Sequence, residues 1–238
     1  MAAQGYDSVT VDIQHGALDY SDVLPMFQAM QSSGATLMAR VPWRDPGYIM
    51  KALDVGAMGI ICPMINNSEE AAEFISYMRY PPLGQRSFGP TRVAVSVPDY
   101  GVEANDEVLA FAMIETADGV QNLEAIAATA GLDGIYVGPA DLTLGTQLGR
   151  LAPGLDRTED EMVTLIQKVA SVCKEYGLIA GIHCGTAEYA SKAIGWGYNL
   201  TTIGGDTRLL ASAAAASVSS WRKLTGRKEK VQVTSGVY

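Results

Sequence analysis

The sequence predicts an α/β fold, a parallel sheet wound into a (β/α)8 TIM barrel. Three observations carry that expectation. Short β-branched runs alternate with stretches of helical period along the whole chain, the pattern of repeated strand and helix units. The runs stop abruptly at glycine, proline or a charged residue, as in Gly134-Ile-Tyr-Val-Gly138-Pro139, which marks strands buried on both faces. A length of 238 residues, 48% of them hydrophobic, suits one closed barrel better than two Rossmann halves.

The first strand is Ser8-Val-Thr-Val-Asp12, leading to Ile13-Gln-His15-Gly16. A helix from Tyr20 to Ser32 follows, with Val23, Leu24, Phe27 and Met30 inward and Gly34 as its stop. Thr36 to Val41 is the second strand. Asp45-Pro46 opens a helix that carries Ile49, Met50, Leu53 and Asp54 and closes at Gly56, proline being suited to a first turn. Met58 to Pro63 is the third strand, and Ser68 caps a helix from Glu69 to Arg79. The stretch from Tyr80 to Asn105, rich in Pro, Gly and polar residues, reads as a long functional loop.

Residues 109 to 114 form the next strand and deliver Glu115. Val120, Leu123, Ile126, Ala127 and Ala130 recur at helical spacing, and residues 134 to 138 form a strand that delivers Ala140 and Asp141 to a loop. Thr158-Glu-Asp-Glu161 is a capping box opening a helix through Cys173. Leu178 to His183 is a strand, Thr186 to Trp196 a helix, Leu200 to Asp206 the last strand, and an alanine-rich helix runs on to Leu224. That makes seven strands, so the barrel is expected to lack its first strand and helix. Residues 1–224 are read as one barrel domain and 225–238 as a tail. Lys230 to Thr234 is open to three uses, a strand filling the gap, a tail, or a contact with a neighbouring subunit.

A net charge of -9, from 26 acidic and 17 basic residues, argues against nucleic acid as a partner. The basic cluster from Arg222 to Lys230 reads as a solvated tail. Cys62, Cys173 and Cys184 are too few and scattered for a disulfide framework, which points to a reducing compartment. With no run of about 18 apolar residues and no signal peptide in Met1 to Gly5, a cytoplasmic protein without a membrane partner is expected.

In a barrel the chemistry lies past the C-terminal ends of the strands. Asp12 and His15, Arg40 and Trp43, Pro63, Glu115, Ala140 and Asp141, His183, and Asp206 hold those positions. Both histidines of the chain are among them. Asp206 reads as a helix cap only. No Gly-rich phosphate loop stands at the last two strands beyond the faint Gly204-Gly205. Glu115 and Asp141 have no basic residue beside them and would repel unless a cation sat between them. Two hard oxygen ligands, with the remaining positions left to water and substrate, suit Mg²⁺ or Mn²⁺ and not structural zinc. Such an ion would polarise a 2-oxo acid, Arg40 would face the negative oxygen of an enolate, and a histidine would move the proton.

Asp12-Ile-Gln-His15-Gly, Arg40-Val-Pro-Trp43, Leu53-Asp54-Val-Gly-Ala57, Arg79-Tyr-Pro-Pro-Leu-Gly-Gln-Arg86, Ile114-Glu115-Thr116, Val137-Gly-Pro-Ala-Asp141-Leu and Gly205-Asp206-Thr, in that order, resemble the HpcH/HpaI aldolases, the class II pyruvate aldolases, from about Gly5 to Leu224. The resemblance implies a barrel of the phosphoenolpyruvate/pyruvate type that cleaves 4-hydroxy-2-oxo acids to pyruvate and an aldehyde. It places Glu115 and Asp141 as ligands of a divalent metal (Mg²⁺, with Mn²⁺ or Co²⁺ as alternatives), Arg40 on the keto or enolate oxygen, and His15 as the base, oriented by Asp54. Trp43, Gly138, Pro139 and Ala140 would contact substrate, the backbone around Ala140 meeting the pyruvate carboxylate. It further implies a homo-oligomer, a hexamer or trimer of dimers, with C-terminal helices exchanged. Met113 stands where glutamine is frequent in the family, and His183 where an apolar residue is usual, so His183 is expected to touch the aldehyde half. Decarboxylation of oxaloacetate, or capture of the same enolate by a synthase, is the enzymatic alternative. A non-catalytic oligomeric barrel is the other.

Overall fold

The computed structural model describes residues 1–228. After a short 3-10 turn at Ala2–Gln4, seven strands follow: β1 Ser8–Asp12, β2 Thr36–Arg40, β3 Gly59–Cys62, β4 Leu109–Ile114, β5 Gly134–Val137, β6 Ile179–Ile182 and β7 Leu200–Thr201. The helices are α1 Tyr20–Met30, α2 Pro46–Asp54, α3 Ser68–Met78, α4 Val93–Ser96, α5 Tyr100–Glu107, α6 Ala117–Gln121, α7 Leu123–Ala127, α8 Pro139–Gln147, α9 Asp160–Glu175, α10 Ala187–Gly195 and α11 Asp206–Leu224. The strands pair in sequence order, each parallel to the next. The sheet curls as a half-barrel whose last strand is not paired to its first among the described residues. An eighth strand is therefore not supplied there, and Lys230 to Thr234, read as one way to close the gap, lies outside the described residues. No helix of the described residues is long and apolar enough to cross a membrane.

The period of two sorts side chains onto two surfaces. One set, including Val11, Ile60, Ala112, Ile135 and Ile182, packs outward against Phe27, Leu53, Phe74 and Ile166 of the helices. The other, Met38, Ile61, Phe111, Met113 and Tyr136, fills the interior. That interior is built from large residues laid over glycines. Met38 pairs with Gly59, Phe111 with Gly134 and Tyr136 with Gly181 in register on adjacent strands. A Cβ on those glycines would meet Met38 at 2.9 Å, Phe111 at 2.5 Å and Tyr136 at 2.6 Å. The glycines here provide room for a neighbour's side chain.

Six of the seven described strands agree with the sequence reading to within one residue at each end, the usual fraying of element ends, but the last strand, read as Leu200 to Asp206, stops at Thr201, and the helix starts and loops required correction. Asn67, not Ser68, caps α3, its side chain accepting from the Glu70 N–H at 2.8 Å. The expected capping box at Thr158 does not form. Glu159 is the cap residue of α9, and its carboxylate instead binds Arg157. The helix read through residues 120 to 130 is two short helices, α6 and α7, broken at Asn122, whose side chain turns to donate to the Asn66 carbonyl at 2.8 Å. The segment from Tyr80 to Asn105 is not one open loop, since it contains α4 and most of α5. It is anchored by Arg86, which lies between the rings of Tyr80 and Tyr100 at 4.5 and 5.5 Å and donates to Tyr100 Oη and Asp54. The loop expected to carry Ala140 and Asp141 is the first turn of α8. Asp206 is the first residue of α11 and not its cap, which is Gly205. None of the residues of α11 is buried, and Leu210, Val218, Trp221 and Leu224 all stand exposed.

Candidate active site

The strand ends bring one set of polar residues to a single mouth, because the inward-facing period continues one step past each apolar layer. Asp12 and Arg40 are paired in register as the last residues of β1 and β2. The Arg40 guanidinium donates through Nε to Asp12 Oδ1 at 2.9 Å and through its second nitrogen to Oδ2. Burial opposes the arginine's charge and Asp12 more than restores it, so the Arg40 pKa is raised. The backbone N–H groups of Gln14 and His15 also point to Asp12 Oδ1, at 3.0 and 3.4 Å. His15 itself is exposed on the β1–α1 loop.

Glu115 follows β4 and is only 1% exposed. Its Oε1 accepts from the Met64 N–H at 2.8 Å, while Oε2 is buried without a hydrogen-bond partner. Met64 holds a φ of 57°, a left-handed conformation that is costly for a side chain of this kind. That turn is braced on both sides. Asn66 and Arg44 donate to the Met64 carbonyl at 2.9 and 3.5 Å, Arg44 is paired with Glu70, and the Thr116 hydroxyl donates to Asn66 Oδ1. Burial pushes the Glu115 pKa up to about 7, the negative charge of Asp141 adds to the rise, and the Met64 N–H and Arg40 oppose it.

The free oxygen of Glu115 faces Gly138. A Cβ there would lie 2.6 Å from Oε2 and 2.5 Å from Met113 Cε, so only glycine leaves this corner open. Pro139 is in the first turn of α8, its fixed φ and missing N–H suiting that place. Ala140 and Asp141 are therefore held by a helix, with Asp141 half-buried and its charge felt by Glu115. Among the described residues there is no cluster of three or more His, Cys, Asp or Glu side chains able to hold a metal. An ion at this corner would have two protein carboxylates at most.

On the other side of Arg40, His183 follows β6, and its N–H donates to the Val137 carbonyl at 3.1 Å. Burial, reinforced by Arg40 and by Arg208, pushes its pKa down to about 4, with Asp12 opposing, so the imidazole is neutral at pH 7. Tyr136 lies beneath with its ring fully buried and hydrogen-bonded to Thr202, whose hydroxyl in turn accepts from the Cys184 N–H at 2.9 Å. Trp43 is 49% exposed at the rim, with Arg44 5.9 Å from its ring. Asp54 is set apart from this group. It ends α2, about 13 Å along the helix axis from the rim at 1.5 Å per residue, and its carboxylate accepts from Arg86 at 2.7 Å.

The sequence did not single out Met64, Asn66, Thr202 or Arg208. Met64 follows Pro63 at a strand end, a position that was legible, but its backbone conformation has no signature in a methionine. Asp12 stood at the rim in the sequence reading without a role, and its partnership with Arg40 follows only from strand register.

The family model described as HpcH/HpaI aldolase/citrate lyase matches residues 1–213. A hydroxypyruvate/pyruvate aldolase of Rhizorhabdus wittichii is 37% identical over 94% of this chain and 88% of its own length. A 5-keto-4-deoxy-D-glucarate aldolase of Klebsiella pneumoniae is 31% identical over 92% of this chain and 85% of its own. The crystal structure of an HpcH/HpaI aldolase from Desulfitobacterium hafniense superposes with a TM-score of 0.85 at 25% identity, covering 96% of this chain and 88% of that one. The order of the strands, the corner at Glu115 and these likenesses agree, and the chain belongs to the HpcH/HpaI aldolase/citrate lyase family.

Proposed function

We propose that this protein is a class II aldolase that cleaves a 4-hydroxy-2-oxo acid to pyruvate and an aldehyde, and runs the reverse addition. The observation that carries the reading is the unpartnered, buried Oε2 of Glu115, beside the charge of Asp141 and under a glycine that leaves the corner open. A buried carboxylate oxygen without a donor is costly unless a cation or an unseen donor meets it. The donor set fits a hard divalent ion, Mg²⁺ first, with Mn²⁺ or Co²⁺ as alternatives, held by Glu115 and Asp141 with its other positions left to water and substrate. When bound, such an ion acts as a Lewis acid toward the 2-oxo group.

The remaining roles belong to this chain's own residues. Ala140 and Asp141 present first-turn N–H groups of α8, which lack intrahelical acceptors and suit the pyruvate carboxylate. Arg40, fixed by Asp12, places its cation where the 2-oxo oxygen gains negative charge. His15 takes the C4 hydroxyl proton, the C3–C4 bond breaks, the aldehyde departs, and the electron pair is left on the pyruvate enolate for protonation at C3. Trp43 closes the rim over the substrate. Asp54, expected to orient His15, stands instead at the far end of α2 paired with Arg86, and the uncovered α11 offers a surface for a homo-oligomer.

The test is release of pyruvate from hydroxy-oxo acids with added divalent ions, beside release of CO₂ from oxaloacetate. Glu115→Ala is expected to lose on the order of 10²–10³-fold in kcat. Turnover unchanged in the purified variant refutes the assignment, and CO₂ release without aldol cleavage moves it to decarboxylation.

A further inference from the structure

The turn that fixes Glu115 is governed by one side chain. The Glu115 carboxylate accepts from the Met64 N–H at 2.8 Å, and Met64 is in the left-handed region, where a methionine stays only if its neighbours hold it. Asn66, two residues on, commits each of its polar groups to that task. Its Nδ2 donates to the Met64 carbonyl at 2.9 Å and to Glu70 Oε2 at 3.2 Å, and its backbone N–H donates to the same Glu70 oxygen at 2.7 Å. Its carbonyl accepts from Asn122 at 2.8 Å, and its Oδ1 accepts from the hydroxyl of Thr116, the residue after Glu115. The orientation of the amide follows from its partners. Thr116 Oγ1 already accepts from the Gly119 N–H at 2.9 Å, so its one proton goes to Oδ1, while the Met64 carbonyl and the Glu70 carboxylate are acceptors and face the NH₂ group. The other oxygen of Glu70 holds Arg44 at 3.1 Å, and Arg44 reaches the Met64 carbonyl at 3.5 Å. A Cβ on Gly119 would lie 2.9 Å from the Ile65 carbonyl, so the turn is seated directly on α6.

We propose that Asn66 is a positioning residue for the divalent ion: it clamps the Met64 turn to Thr116 on one side and to Glu70 of α3 on the other, and so aims the free oxygen of Glu115 at the ion. The inference rests on the aldolase reading, which makes Glu115 a ligand. Asn66 touches neither ion nor substrate in that reading and acts through Met64. With the clamp closed, the cost of a left-handed methionine and of a fixed carboxylate is met when the chain folds, before an ion arrives. With the clamp open, Met64 is free to leave that region, its N–H turns from Oε1, and the carboxylate swings away from the corner at Gly138. The result is a weaker ion site in a barrel whose strands are unchanged. Groups that support a metal ligand act in this way, setting the ligand's orientation and not its identity.

The experiment uses the full chain and two substitutions at this position. Asn66→Asp has the same shape and keeps the Thr116 bond but turns an acceptor toward the Met64 carbonyl and Glu70. Asn66→Ala removes the clamp without adding charge, and carries the test if the aspartate variant does not fold. Asp133→Ala, just before β5 and so at the opposite end of the sheet, is the control for lost stability alone. Affinity for Mg²⁺ and Mn²⁺ is measured by calorimetric titration, and amide hydrogen exchange at Met64 by NMR on the metal-free protein. Both Asn66 variants are expected to bind each ion about tenfold or more weakly. Exchange at Met64 is expected to quicken by roughly three- to tenfold relative to the strand amides of Ala112 and Ile135, the range of one hydrogen bond. Asp133→Ala is expected to melt earlier with its ion affinity unchanged. Native affinity in the Asn66 variants, weaker binding with Met64 exchange unchanged, or an equal loss of affinity in Asp133→Ala overturns the positioning role and leaves the aldolase reading standing. Absence of Mg²⁺ and Mn²⁺ binding by the native protein overturns the two together.

Discussion

Replacing Gly138 by alanine tests the corner on which the chemistry depends. The added Cβ would stand 2.6 Å from Glu115 Oε2 and 2.5 Å from Met113 Cε, so each must retreat by about 1 Å to restore ordinary van der Waals contact. Met113 has a flexible thioether end and can yield. Glu115 cannot do so freely, because Oε1 is fixed at 2.8 Å to the N–H of Met64, itself held at φ 57° by its braced turn. Overpacking of this kind costs about 1–3 kcal/mol, or roughly 3–10 °C in Tm for a domain of this size. A shift of about 1 Å in a ligand or catalytic group costs on the order of 10²-fold in rate. Gly134→Ala is the control, since its Cβ would meet Phe111 at 2.5 Å and the Ile179 carbonyl at 2.7 Å, one layer below the mouth. Melting curves and titration of divalent-ion binding on both variants separate the effects. Gly134→Ala should lose stability and, where folded, keep its affinity for the ion, whereas Gly138→Ala should lose that affinity by more than its stability loss explains. If Gly138→Ala binds Mg²⁺ and turns over as the native protein does, the open corner is not the metal position and the reasoning fails.

Three further outcomes follow from the same geometry. The Glu115 pKa, raised from its ordinary 4.5 to about 7, means that the native state holds a proton the unfolded chain has lost across that interval. Metal-free stability should therefore fall as pH rises from about 4.5 to about 7 and level off above it. Divalent-ion affinity should rise over the same interval, because the ligand must be deprotonated. Thermal melts and ion titrations from pH 5 to 8 read both, and a flat profile in each contradicts the burial argument. Asp12→Asn should leave the fold intact and lower kcat/KM by about 10–100-fold, through a guanidinium no longer fixed by a charged partner; unchanged steady-state kinetics would show that Arg40 needs no such partner. Asp133→Ala should cost about 3–5 kcal/mol, since it leaves Arg79, 4% exposed and bonded to Asp133 at 2.6 Å, as an unpaired buried cation; denaturant unfolding measures this, and a loss under 1 kcal/mol would place the pair with ordinary surface bridges.

Much of the fold was legible because its strands are short apolar runs with sharp ends. Leu109 to Ile114 and Gly134 to Val137 needed no tertiary information to be placed, since burial on both faces removes polar residues from the run. What was not legible depends on contacts made across the sheet. Asn122 breaks one expected helix into α6 and α7 because its side chain serves Asn66, a residue 56 positions earlier, and local periodicity carries no trace of that demand. The capping box at Thr158 fails for a related reason. Arg157, 7% exposed, claims Glu159 for charge neutralisation, and a buried guanidinium outweighs one helix-end hydrogen bond.

The same division runs through the site. Glu115, Asp141, Arg40 and His183 were placed at the mouth by counting one step past each strand, which requires only that the sheet be parallel and curled. The step that makes Glu115 a candidate ligand is different in kind. It needs Met64 in a left-handed turn to occupy one oxygen, Gly138 to leave space at the other, and Asp141 brought round by a helix that starts at Pro139 and not by a loop. Remove the turn and both oxygens are free to rotate; fill the glycine and the free oxygen is displaced; let the α8 start slip by a residue and Asp141 turns by about 100° about the helix axis. A carboxylate held in this way is poorly solvated and short of one donor before any ion arrives. Binding a cation there costs little reorganisation, and the strain kept in the Met64 turn is where the fold has already met that cost.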